Sequence, residues 1–199
     1  MEFEFKDNQI IFDKELSSLD KIVLKFTKIL DKEKIEYVII SGYIAILFGR
    51  SRGTEDIDLF IEEMSLEKFE TLWGAIEKAG FECINVFNPR EAYKEFLLNK
   101  TSIRFAEKGN FQPNFELKFP TSDLSKYSIS NKVKVYLNKH KINTSRLELQ
   151  IAYKLFLGSE KDIEDATHLW DLFKNKIDQT LFNKFATKLK VLDKIKEME

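Results

Sequence analysis

One cysteine, Cys83, stands among 199 residues. A disulfide framework and a cysteine-held metal cluster are thereby excluded. Histidine is nearly as scarce, with His140 and His168 the two present. Charge of one sign is missing too: 33 acidic residues face 32 basic ones, a formal net charge of −1. No chain-wide basic field points to nucleic acid, which leaves only a local patch for that role. Every apolar run is shorter than the ~18 residues of a membrane span. The opening, MEFEFKDNQ, is acidic and mixed, unlike a secretory leader. The expectation is a soluble, cytoplasmic protein without a membrane partner. Internal repeats and low-complexity segments are also lacking.

What is present is material for a core. The hydrophobic fraction is 43%, too high for a globally disordered chain. The length suits one large domain, or a domain with a small helical appendage.

The order of elements can be read from periodicity. In SSLDKIVLKFTKIL, Leu19, Ile22, Val23, Phe26, Ile29 and Leu30 fall at helical spacing, with Ser17 or Ser18 as N-cap. EYVIIS reads as a buried strand. GYIAILFG, bracketed by glycines, reads as a short helix. EDIDLFIE alternates, with Ile57, Leu59 and Ile61 on one face and Asp56, Asp58 and Phe60 on the other. SLEKFETLWGAIEKAG is an amphipathic helix from Ser65 to Gly80. FECINVF is a strand, and Asn88-Pro89 opens a helix over PREAYKEFLLN. TSIRFAEK, NFELKF and KVKVYLNKHKI read as three further strands. Beyond Thr144 three helical segments follow. The predicted fold class is α+β: residues 1–142 form a short mixed sheet flanked by helices, and residues 143–199 a helical region closing the cleft.

The stretch GRSRGTEDIDLFI carries two chemical signatures. Gly49-Arg50-Ser51-Arg52-Gly53 matches G-x-S-x-G, the nucleophile elbow of hydrolases. That elbow needs a strand before the serine and a helix after it. Here the order is inverted, and neither histidine sits in a triad setting. The glycines are better read as a turn between helix and strand. Asp56-Ile57-Asp58 is the second signature. Residues i and i+2 of a strand project to the same side, so two carboxylates stand together and repel. A cation relieves that cost. Oxygen-only ligands suit Mg²⁺, which fills its shell with waters and phosphate oxygens; Mn²⁺ is the alternative. The plain alternative is a solvated pair on an edge strand. Upstream, Ser41-Gly42 follows the YVII strand directly. A small-residue turn into a helix lets backbone N–H groups approach phosphate. Arg52 and Thr54 precede the carboxylates and would contact the same phosphates.

The stretch over residues 37–62, YVIISGYIAILFGRSRGTEDIDLFIE, resembles the signature of the polymerase-β-like nucleotidyltransferases. It is most similar to the minimal, toxin-related branch with the AbiEii-type proteins. Arg52, Thr54, Asp56 and Asp58 match that branch's Arg-x-Thr-x-Asp-x-Asp stretch. The departure is Ser41-Gly42, where the branch has Gly-Gly or Gly-Ser. A second similarity lies at Lys154 and in Lys161, Asp162 and Asp165. The resemblance implies Mg²⁺-dependent transfer of a nucleoside monophosphate from an NTP, with Lys154 reaching the phosphates and Asp162 helping to build the site. The implied acceptor is tRNA, another RNA, a protein or a small molecule, and a toxin role would bring an antitoxin protein as partner. The runner-up is a catalytically inactive binding or regulatory subunit of the same fold.

A two-metal transfer needs a third carboxylate from a neighbouring strand. In NFELKF, Phe115, Leu117 and Phe119 alternate with Asn114, Glu116 and Lys118. Glu116 is therefore the expected third ligand, with Asp123 as its rival. His168, and the lysines of the last helix, read as ordinary packed or solvated side chains.

Overall fold

The YVII run becomes β3 (Tyr37–Ile40) and DIDLFI becomes β4 (Asp56–Ile61), joined by the short helix α2 (Gly42–Leu47). The computed structural model describes residues 2–196. Among these residues a single mixed sheet has the order β1-β2-β8-β9-β3-β4-β7-β6-β5. The outer strands on one side are β1 (Glu4–Lys6), β2 (Gln9–Phe12), β8 (Val133–Leu137) and β9 (His140–Thr144). On the other side lie β7 (Asn114–Lys118), β6 (Ile103–Glu107) and β5 (Phe81–Cys83). β3 pairs antiparallel with β4, and β4 pairs parallel with β7.

The alternation in β4 works as expected. Ile57, Leu59 and Ile61 are fully buried, while Asp56, Asp58 and Phe60 face outward to varying degrees. The buried face belongs to the main core, with α1 (Ser18–Lys32) and α3 (Leu66–Lys78) contributing to it. Phe26 of α1 stacks on Phe115 of β7 at 4.0 Å between ring centres. Such aromatic pairs add to plain area burial. Most phenylalanines thus serve packing. Both helices start as their sequences suggest. Ser17 caps α1 in a capping box with Asp20, and Ser65 caps α3. The hydrophobic segment after Asn88-Pro89 begins as α4 (Pro89–Glu91) and continues as a π-helical stretch, Ala92–Leu97.

Three expectations need correction, and one pair of strands is unanticipated. KVKVYLNKHKI is two strands, β8 and β9, because Asn138 and Lys139 both take positive φ, 48° and 69°. That is a tight hairpin turn built without glycine. The N-terminal residues form the β1–β2 hairpin, and β2 joins the sheet beside β8. FECINVF is strand only over Phe81–Cys83. The last helical run is broken at Lys190, whose φ of 58° ends α8 (Gln179–Leu189) before α9 (Leu192–Lys196).

The helices α5 (Asp123–Ser130), α6 (Leu147–Leu157) and α7 (Glu160–Phe173) complete the fold. α6 packs against α7 and α8, and α2 packs against α7. No helix of the described residues is long and apolar enough to cross a membrane.

Candidate functional site

The register brings the candidate carboxylates onto neighbouring strands. Asp58 lies opposite Glu116 of β7 and opposite Ile40 of β3, while Asp56 lies opposite Asn114. Asp56 is exposed and Asp58 is four-fifths buried. Burial pushes the Asp58 carboxyl up. Lys118 pulls it back, and Asp56 and Glu116 push it up further; the net direction is upward. Asp58 thus feels both neighbouring carboxylates, as the shared sheet face requires.

Two cations answer these charges. Lys118 donates to Asp58 at 3.3 Å. Arg104 of β6 donates to Glu116 Oε1 through Nε at 2.7 Å, its Nη2 lies 2.6 Å from the same oxygen as an ion pair, and Ser102 donates to Oε2 at 3.2 Å. Glu116 therefore stands beside Asp58 in the sheet with its carboxylate committed to Arg104. Among the described residues no three carboxylate, imidazole or thiol groups converge closely enough to hold a metal ion. Asp123 is remote from this arrangement in role. It opens α5, is almost fully exposed, and approaches Lys188 at 3.8 Å.

The donor set nonetheless suits a hard cation in one respect. Asp56 and Asp58 offer only oxygen, and one or two carboxylates plus substrate phosphates are the usual hold on Mg²⁺. Asn114, opposite Asp56, has a buried Oδ1 without a hydrogen-bond partner among the described residues. Thr54 donates to the Asp56 carbonyl at 2.9 Å and so fixes the start of β4.

The strand-to-helix turn is the most constrained part of the site. Ser41 has φ 66° and ψ −140°, a backbone shape that glycine takes readily and L side chains avoid. Gln150 of α6 holds it. Its Oε1 accepts from the Ser41 N–H at 3.3 Å, and its Nε2 donates to the Ser41 carbonyl at 3.2 Å. The Ser41 hydroxyl caps nothing. The first N–H groups of α2, as in any helix, have no intrahelical acceptor. Further along α2, Tyr43 donates to the buried Asp20 at 2.8 Å, and Lys14 donates to the Leu47 carbonyl at 3.1 Å.

Gly42 is needed for a different reason. A Cβ there would lie 2.1 Å from Arg52 Nη2. The guanidinium is pressed on that glycine because Asp165 holds it from the far side, with Nε and Nη2 each at 2.9 Å from a carboxylate oxygen. Asp165 is fully buried. It also receives Arg50, which in addition pairs with Glu164. Lys154, itself buried, sits 2.9 Å from Asp165 and 2.6 Å from Asp162. Burial pushes Asp162 up, but the bonds from Lys154 and Ser159 more than offset this and hold it below the ordinary carboxylate range. Arg52 and Lys154 are thus members of one ion-pair network joining the α2–β4 loop to α6 and α7.

A cleft of about 260 Å³ opens beside Asp58, bounded by the ends of β3, β4 and β7 and by α5 and α6. Ser41, Asp58, Lys118 and Gln150 line it. Arg52, Thr54, Glu116 and Lys154 are not among its lining residues. Lys118, Gln150 and Arg104 are the residues that sequence reasoning missed. Lys118 had a signal: it shares the outward face of β7 with Glu116. Gln150 had a weaker one, as a polar residue within the apolar run of α6. The hydrolase elbow finds no support, since Ser51 is exposed in the loop before β4 and His168 is occupied with the Phe48 carbonyl at 3.2 Å.

No protein-family model matches the chain, and no curated protein does. Solved structures do. An antigenic nucleotidyltransferase-like protein from Paracoccidioides brasiliensis aligns with 21% identity and a TM-score of 0.55, over 92% of this chain and 93% of its own. The fold is that of the nucleotidyltransferases. ANT(2″)-Ia, in complex with adenylyl-2″-tobramycin, aligns with 14% identity and a TM-score of 0.53, over 86% of this chain and 99% of its own. The lincosamide antibiotic adenylyltransferase LnuA, lincomycin-bound, aligns with 12% identity and a TM-score of 0.51, over 80% of this chain and all of its own.

Proposed function

We propose that the chain transfers a nucleoside monophosphate from an NTP to an acceptor hydroxyl or amine. One observation carries the reading. The Asp56–Asp58 strand lies between a strand ending in the strained Ser41 turn and a strand presenting Glu116 in register with Asp58. Adenylyl transfer in the fold neighbours supports it.

Asp56 and Asp58 would hold Mg²⁺, or Mn²⁺, against the triphosphate, and the ion when bound offsets the charge of the transferred phosphoryl group. The Ser41 hydroxyl and the Gly42 N–H would bind phosphate oxygens. Gln150 keeps that turn in shape, and Arg52 shapes it through its seat on Gly42. The acceptor oxygen or nitrogen bonds to the α-phosphorus as the bond to the bridging oxygen breaks. Pyrophosphate leaves with that electron pair. Glu116 would take the acceptor proton once Arg104 releases its Oε1. Placement in the toxin-related AbiEii-type branch rests on the stretch over residues 37–62 and on the Lys154–Asp162–Asp165 cluster.

The second reading, an inactive binding or regulatory subunit, is favoured by one fact. Asp58 and Glu116 are each paired with a cation, and no three-acid cluster converges among the described residues. Pyrophosphate release separates the two. Each of the four NTPs is supplied with Mg²⁺ and a mixture of RNA and small molecules. Release that disappears in Asp56→Ala and Asp58→Ala, with melting curves preserved, supports transfer. Release at the parental rate in Asp56→Ala would place the site elsewhere.

A further inference from the structure

The cleft beside Asp58 has a charge content that narrows what can enter it. Its charged lining residues are Asp58 and Lys118, and these are paired with each other at 3.3 Å. The lining is therefore neutral in sum. A nucleic-acid strand is gripped by several Lys or Arg at its phosphates. A polycation needs the mirror set of several carboxylates. Neither set lines this cleft. Glu116 lies outside the lining, and Arg104 neutralises it.

Hydroxyls and apolar groups take the place of charge. Ser128 of α5 and Ser145 after β9 both line the cleft, both are buried, and their hydroxyls share one hydrogen bond of 3.3 Å. A serine hydroxyl has one donor and two acceptor sites. The shared bond uses one of each, so the pair keeps a donor and acceptor sites for a ligand. Ser122 and Ser125 differ, since they spend their hydroxyls on the α5 capping box. Apolar lining comes from Phe60, Leu124, Tyr153 and Leu157. Tyr153 and Leu157 are 39% and 48% exposed, an apolar surface left open on α6. The volume of about 260 Å³ is just below the ~300–1,000 Å³ usual for drug-sized ligands.

We propose that the part of this cleft between α5 and α6, beyond the Ser41 and Asp58 edge that faces the NTP, is the acceptor subsite, and that the acceptor is an uncharged small molecule of one or two rings, with hydroxyls along one edge and an apolar face. A glycoside-like compound has that chemistry; an RNA end and a polyamine do not. The proposal rests on the nucleotidyl-transfer reading above. The Ser128–Ser145 pair bonds the hydroxyl edge, and Tyr153 with Leu157 covers the apolar face. One acceptor hydroxyl is left toward Asp58, where its oxygen bonds to the α-phosphorus of the NTP and pyrophosphate leaves with the electron pair of the broken bond; the hydroxyl proton passes to Glu116, which stands opposite Asp58 on the next strand just beyond the lining, once Arg104 has moved off its carboxylate.

The test uses the full chain, α-labelled NTP and Mg²⁺. Acceptors are a small-molecule cell extract split by ion exchange into neutral, cationic and anionic pools, and total RNA as a fourth sample. The expected result is label in the neutral pool at least tenfold above the other three. Label entering RNA, the cationic pool or the anionic pool at an equal or higher level overturns the proposal. So does an unlabelled neutral pool when NTP with Mg²⁺ still raises the melting temperature. Absence of both label and that melting shift brings down the nucleotidyl-transfer reading itself. With the labelled neutral acceptor, Tyr153→Ala and Ser128→Ala should each raise the acceptor KM about tenfold and leave the NTP KM within twofold. A rise in the NTP KM instead, or an unchanged acceptor KM in both, removes the acceptor from this cleft. Tyr153 is exposed enough that its variant should fold.

Discussion

Replacing Ser41 by glycine should stabilise this protein. Ser41 holds φ 66° and ψ −140°, a region where an L side chain costs on the order of 1–3 kcal/mol. Glycine removes that cost, but it loosens the unfolded chain by about 0.4–1 kcal/mol. The net is a gain of roughly 1 kcal/mol, and in a chain of this size that raises Tm by about 2–4 °C. Both Gln150 bonds go to the Ser41 backbone, so the glycine variant keeps them. The assay is a thermal melt of a short series without nucleotide. Ser41→Gly should melt above the parent. Ser41→Ala keeps the backbone cost and loses a hydroxyl that caps nothing, so it should melt within about 1 °C of the parent. Ser41→Val should melt below it, because β-branching worsens the clash. A glycine variant melting at or below the parent, or an alanine variant rising as far as glycine, would refute the strain argument. The same series reads the hydroxyl's function. If Ser41 binds phosphate, the glycine and alanine variants lose part of the NTP-dependent melting shift together.

Gly42→Ala should destabilise by about 1–3 kcal/mol, since the new methyl drives Arg52 off a buried carboxylate; a parental melt would mean that Arg52 is free to move. Asp58→Asn should raise Tm in metal-free buffer at pH 7 and abolish the Mg²⁺-dependent NTP shift. The sign follows from a folded carboxyl held above its ordinary 3.8: the ionised form costs stability at neutral pH, and the cost fades as pH falls through the folded value towards 3.8. A lower Tm for Asp58→Asn at pH 7 would mean that the Lys118 pair outweighs the burial. Asp162 has the opposite sign, being held below 3.8. Its stabilisation is complete above pH 3.8 and is lost as pH falls through the lower folded value, so Asp162→Asn should melt below the parent at pH 7 and converge with it in acid. Parallel melting curves across that range would count against the Lys154–Asp162 pairing.

Local rules made much of this fold legible in advance. The i, i+2 alternation of DIDLFI placed Asp56 and Asp58 on the outward face of β4, and Ser17, Ser65 and Asn88 marked three helix starts. What stayed hidden was tertiary. The β8–β9 turn uses Asn138 and Lys139 at positive φ, without the glycine that usually advertises a hairpin. The strands β1 and β2 are short, and β2 finds its partner β8 only through the fold. Arg52 reads as a phosphate ligand, and nothing near it in the sequence shows that Asp165, far along the chain, holds its guanidinium. Glu116 could be placed on the right face by alternation, but nothing local to NFELKF reveals Arg104 across the β6–β7 register. Gln150 is invisible for the same reason: its role exists only against the strained turn of a strand more than a hundred residues earlier.

The central claim is that the Asp56–Asp58 strand directs attack at the α-phosphorus of an NTP. It is tested most directly by supplying matched NTPs labelled at the α- or the γ-phosphate to the parent and to Asp58→Asn, with Mg²⁺ and the acceptor pools. The expected result is α-label on an acceptor, γ-label recovered wholly as pyrophosphate, and neither event in Asp58→Asn. Transfer of γ-label to the acceptor, or α-label transfer undiminished in Asp58→Asn, would contradict the account.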